Sequence, residues 1–152
     1  MPAARVAAVV PSYDLLATPV RLTVAFLIIS ISVPVLTGMA ADLKEDNAVM
    51  SASKEADRIA DAVSRVYYMG AGSACAVDVS LPAGCMMAIG GEGTDAYSIG
   101  IFLDGVEKDR IYLERPLVRI LGDGLDVHGK SRISVECVRL DGVYGVSVGI
   151  DD

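Results

Sequence analysis

Three cysteines, one histidine, a few aspartates and a glycine cluster are the residues of this 152-residue chain whose types could do chemistry. Cys75, Cys85 and Cys137 show no Cys-x-x-Cys spacing, and His128 stands apart from them in sequence, so the pattern is not that of a zinc site. In an oxidising compartment Cys75 and Cys85 would close a loop of roughly ten residues, worth about 2 to 3 kcal/mol. The spacing equally fits small buried thiols on strands, and burial is the simplest fate for the unpaired Cys137. Asp104, Asp123 and Asp126 offer oxygen ligands, but Gly122-Asp123-Gly124-Leu125-Asp126 lacks the spacing and terminal glutamate of a calcium loop, and turn chemistry accounts for it. Gly90-Gly91-Glu92-Gly93 has the glycines of a phosphate loop without the Lys-Ser or Lys-Thr and the helix that should follow. No nucleophile with an orienting acid surrounds His128, and Tyr67 with Tyr68 is expected to anchor a helix end or meet an interface. No catalytic, cofactor-binding or metal residue is assigned, no cofactor is expected, and the chain is read as a non-enzyme.

The elements that would position these residues are arranged around residues 22–41, LTVAFLIISISVPVLTGMAA, about twenty residues without a charge and long enough as a helix to cross a bilayer core. Leu22, Val24, Phe26, Leu27, Ile28, Ile29, Ile31, Val33, Val35 and Leu36 make this the expected membrane or assembly helix. Residues 1–21, with Pro2, Pro11 and Pro19, read as a leader or a flexible cytoplasmic tail, and Arg21 favours keeping that end inside the cell. A cleavable secretory signal is the alternative, since Gly38-Met39-Ala40 has the small-x-small form of a cleavage site; cutting there would release a soluble acidic domain.

Residues 42–69 turn polar but keep a helical repeat. Ala52, Ala56, Ile59, Ala60, Val63, Val66 and Tyr67 form one apolar stripe, with Lys54, Glu55, Asp57, Arg58, Asp61 and Arg65 opposite. Gly70 and Gly72 supply the stop. With neither Gly nor Pro between residues 40 and 69, the apolar and striped segments are expected to form one rod over 22–69, about 70 Å long, kinked at Pro34.

From residue 70 to 152 the period changes to two, as in Cys75, Val77, Val79 and Leu81, or Tyr97, Ile99, Ile101 and Leu103. Further strands are expected near 86–89 and over 108–114, 117–121, 132–138 and 143–150. Asp104-Gly105, Asp123-Gly124 and Asp141-Gly142 stand between strands as hairpin turns would. The expected fold class is α+β: a long N-terminal helix with a membrane half and an amphipathic half, then a small antiparallel β-sandwich head outside the cell. A net charge of -7, nearly all of its acids beyond the apolar run, and only two phenylalanines and no tryptophan exclude nucleic acid as a partner. No small-molecule substrate is identified.

Three segments taken together carry a resemblance: Val24-Ala25-Phe26-Leu27-Ile28-Ile29, then Ala56-Asp57-Arg58-Ile59-Ala60-Asp61-Ala62-Val63, then Val66-Tyr67-Tyr68-Met69-Gly70-Ala71-Gly72-Ser73 before a strand. Over roughly residues 22–81 the chain resembles archaeal type IV pilin-like proteins with class III signal peptides. The resemblance implies a structural subunit or accessory protein whose apolar helix meets membrane lipid or sister subunits while the acidic head is displayed outside, on the cell membrane or on an extracellular filament. Ala25 stands where a glutamate is common in that family, and no basic cluster precedes a cleavage site. Two other readings of the residues stay open: a single-pass anchored extracellular binding module, and a secreted ligand-binding domain or hydrolase released near Ala40.

Overall fold

The computed structural model describes residues 14–140 and 142–151, with side chains for all of these except 14–18, 34–37 and 40. Helix α1 spans Asp14–Met69. It stops where Gly70 takes a φ of 98°, a left-handed conformation that costs glycine little, and the Gly70 N–H donates back to the carbonyls of Val66 (3.2 Å) and Tyr67 (3.3 Å). The chain divides into two compact units, Met1–Leu43 and Lys44–Asp152.

In the first unit the described side chains of the helix, residues 19–33 with Gly38, Met39 and 41–43, are all exposed. No described residue of this unit covers them.

In the second unit, eight strands follow the helix: β1 Ala74–Ser80, β2 Cys85–Ile89, β3 Ser98–Leu103, β4 Val106–Tyr112, β5 Ile120–Leu121, β6 Leu125–His128, β7 Lys130–Leu140 and β8 Val143–Asp151. A 3-10 turn, Asp95–Tyr97, leads into β3. The strands form two four-stranded sheets, ordered β1-β7-β8-β5 and β4-β3-β2-β6. Alternation decides what each sheet turns inward: Ile133, Val135 and Cys137 on β7, Met87 and Ile89 on β2, Ile99 and Ile101 on β3, each within 1% of full burial. The Asp104-Gly105 turn joins β3 to β4, with positive φ at both residues (49° and 79°), the geometry whose twist matches that of the flanking strands.

The striped part of α1 closes the gap between the sheets. Ala52, Ala56, Ile59, Ala62, Val63 and Val66 belong to the same buried cluster as the strand residues. Edge strand β1 flanks the helix on one side, where Arg58, Asp61 and Arg65 share a hollow with residues 75–78. Edge strand β4 flanks it on the other, where the Ser53 hydroxyl donates to the Asp109 carboxylate at 2.8 Å and Lys108 pairs with Glu45. The helix thus lies beside one edge strand of each sheet, β1 and β4, while β5 and β6 form the other two edges.

The expected architecture is corrected in two respects. The helix with a membrane half is not found: among the described residues, no helix is long and apolar enough to cross a membrane. The predicted members Val35 and Leu36, like most of the predicted leader, lie outside the residues whose side chains are described. Single-pass anchoring is thus not supported. The head, moreover, is not a purely antiparallel sandwich. Its β5 pairs with β8 in parallel, Ile120 opposite Val146 and Leu121 opposite Ser147, and its core includes the helix from residue 48 onward.

Candidate functional site

The predicted assembly residues are brought onto one helical segment with their side chains in solvent. Val20, Leu22, Val24, Phe26, Leu27, Ile28, Ile29, Ile31 and Val33 are each exposed by half or more, and Phe26 reaches 69%. The four consecutive residues 26–29 point in directions about 100° apart, so the apolar surface surrounds the helix rather than forming a stripe. Large apolar groups exposed all round a helix have one chemical capacity, association with other apolar surface.

The three cysteines separate. Cys75 is half-buried on β1, Cys85 buried on β2 of the other sheet, and Cys137 buried on β7; all three are free thiols, so the possible Cys75–Cys85 bridge is not formed. Burial, then the nearby Asp104 carboxylate, pushes the Cys85 thiol above its ordinary range, which makes it a poor nucleophile. Contact with the Cys137 thiol, and after it partial burial, raises the Tyr144 phenol; its hydroxyl donates to the Tyr67 carbonyl at 3.2 Å. The Tyr67 and Tyr144 rings meet edge to face at 5.0 Å, as expected of an anchor, whereas Tyr68 is 73% exposed. His128 is exposed on β6, opposite Met86, rather than in a loop. No group of three or more metal-binding side chains occurs among the described residues.

Two clusters were missed by sequence reasoning. The first lies on the outer face of the β4-β3-β2-β6 sheet. Arg110 reaches across β3, donating from Nε to Glu107 Oε1 at 2.6 Å, from Nη2 to Glu107 Oε2 at 3.1 Å and from Nη1 to the Ser98 hydroxyl at 2.9 Å, and it also bonds Asp95. Register puts Gly100 directly opposite Arg110, and the missing side chain gives room to the Phe102 ring: a Cβ there would lie 3.0 Å from that ring and at ordinary contact distance, 3.7 Å, from Nη2. The fork-to-fork bond to Glu107, then Asp95, holds the guanidinium charged, and the same bond lowers the Glu107 carboxyl. Four of the five N–H donors are committed to the protein's own acceptors, as in a structural cluster.

The second is a cavity of about 400 Å³ at one end of the head, lined by Gly93, Thr94, Tyr97, Tyr112, Leu113, Glu114 and Leu117. It forms because the Leu113 N–H donates to the Tyr97 carbonyl at 2.8 Å, continuing the β3–β4 ladder, while the chain turns back so that Leu117 bridges Glu114. Tyr112 is left 56% exposed and Leu117 65% exposed at its mouth. The signal available in the sequence was only the pair of tyrosines bracketing two strands, and their spacing follows no motif.

No known protein family, characterised protein or solved structure matches this chain.

Proposed function

We propose that this protein is a structural, pilin-like subunit that assembles with sister copies through the apolar first part of α1 and displays its acidic head on the outside of the assembly, at the cell exterior. The observation that carries this reading is the exposed apolar sleeve of the helix. At roughly 100 Å² apiece, the eight large side chains from Val20 to Ile31 offer on the order of 800 Å² per copy, what each partner buries in a stable interface. Because the sleeve surrounds the helix, one neighbour leaves half of it wet, and several helices must come together to cover it. The negative charge of the head favours the periphery over the core.

Ile28→Asp tests this. A carboxylate in the centre of a packed helix cluster would be buried without a partner, so the wild-type chain should sediment as a large species and the variant as a monomer with an unchanged circular dichroism of the head. Assembly by the variant equal to that of the wild type, or a wild-type chain that stays monomeric at about 100 μM, overturns the reading.

One observation favours a second reading, a secreted soluble domain: the compact unit begins at Lys44, just past Gly38-Met39-Ala40. N-terminal sequencing of the mature protein separates the two. A start near Ala41 removes the sleeve and with it the assembly proposal.

A further inference from the structure

We infer that the cavity between Tyr97, Tyr112 and Leu117 binds a small molecule carrying an alkylated ammonium group, of the trimethylammonium type. This goes beyond the assembly reading and does not depend on it, since every lining residue belongs to the head unit.

The chemistry of the lining selects the ligand. An opening of about 400 Å³ with mainly apolar walls and few polar groups is the form that small-molecule sites take. Two of the chain's six tyrosines line it. Tyrosine rings carry negative charge on their faces, which a cation attracts and an anion does not. The single charged lining residue is Glu114, and no Lys or Arg lines the cavity. Arg110 is bonded to Glu107 and Asp95, and Arg115 lines an adjoining hollow, which shares Tyr112, Leu113 and Glu114 with the cavity and adds the Asp61 carboxylate and Ser64. Glu92 adds a further negative charge beside Gly93-Thr94. The charge of the lining itself is negative, which favours a cationic ligand over an anionic one. A neutral sugar would need several hydrogen-bond partners, whereas Thr94 and Glu114 are the only polar lining residues besides the two phenols. A bare ammonium or metal ion would lose its water without recovering it from apolar walls. An alkylated ammonium matches both features, because its methyl groups satisfy Leu113 and Leu117 while its charge meets the rings and Glu114.

Choline chloride is the probe, and its carbon isostere 3,3-dimethylbutan-1-ol is the control, equal in shape and lacking only the charge. Saturation-transfer NMR on the ligand's methyl protons suits the full-length chain in whatever assembly it forms, and quenching of tyrosine fluorescence gives a second readout free of tryptophan background. Choline should bind about tenfold more tightly than the isostere. Tyr112→Leu should abolish the signal, Glu114→Gln should weaken it about fivefold, and Tyr112→Phe, which keeps the ring, should bind as the wild type does. Equal binding of choline and the isostere overturns the proposal, as does binding indifferent to both Tyr112→Leu and Glu114→Gln. Absence of a choline signal up to about 50 mM also overturns it. So does a change in the sedimentation of the chain on Tyr112→Leu, which would identify a neighbouring copy's side chain as the occupant.

Discussion

Arg110 joins parts of the chain that the sequence holds apart. Its partners Asp95, Ser98 and Glu107 are 15, 12 and 3 residues away, and only the pairing of Gly100 with Arg110 lets one guanidinium touch all three. A single sequence gives no register, which is why this cluster was not legible in it. Its pH behaviour follows from the lowered Glu107 carboxyl. A carboxyl held lower in the folded state than in the unfolded one stabilises the fold above about pH 4.5, and that contribution disappears as the pH falls through the folded-state value. The urea midpoint of Arg110→Met should accordingly lie below that of the wild type at pH 7, and the gap should narrow below about pH 4. A gap that stays constant into acid would mean that packing of the arginine stem, not the ion pair, holds the site. At the same scale, the thiols differ in access rather than in pairing. A thiol reagent should label the native protein at Cys75 alone and the urea-unfolded protein at all three cysteines, with no reductant needed. Release of only one thiol after unfolding would restore the Cys75–Cys85 bridge that the period-two strands allowed.

Helix α1 shows which elements a sequence announces clearly and which it hides. The stripe over residues 52–66 was readable because burial on one side of a helix repeats every three or four residues, and Ile59, Val63 and Val66 are indeed fully buried. Ile59→Ala should cost about 2–5 kcal/mol by urea denaturation, since the helix closes the gap between two sheets and the surroundings can collapse only in part. Strand β6 was missed because its four residues, Leu125–His128, sit between Gly124 and Gly129 and offer a single fully buried side chain, Val127, to signal alternation. The parallel pairing of β5 with β8 was hidden for a different reason. It depends on Gly145, where a Cβ would lie 2.6 Å from the Arg119 carbonyl oxygen and 2.8 Å from Leu121 Cγ. Gly145→Ala should therefore push β5 off the sheet edge and lower stability by about 1–3 kcal/mol, with hydrogen exchange accelerating at Val146, whose N–H donates to that same carbonyl at 3.0 Å.

At the scale of the whole molecule, hydropathy located the apolar sleeve but not its use. About twenty uncharged residues in a row satisfy a bilayer-length rule, yet among the described residues no helix is long and apolar enough to cross a membrane, and the same helix goes on to build the head. The association proposed for that segment is hydrophobic, so the assembly should persist or grow at 1 M sodium chloride and loosen on cooling, observed by light scattering; assembly that dissolves in salt would point to the charged face of the helix instead.

The place of α1 in the buried cluster also decides how this protein can be cut. A truncation at Gly70, the point where helix gives way to strand, would strip Ala52, Ala56, Ile59, Ala62, Val63 and Val66 from the interior and lay open the strand residues buried with them. Such a fragment should be insoluble when expressed. One that begins at Lys44 keeps the wall intact, and it marks where a protease digest should come to rest.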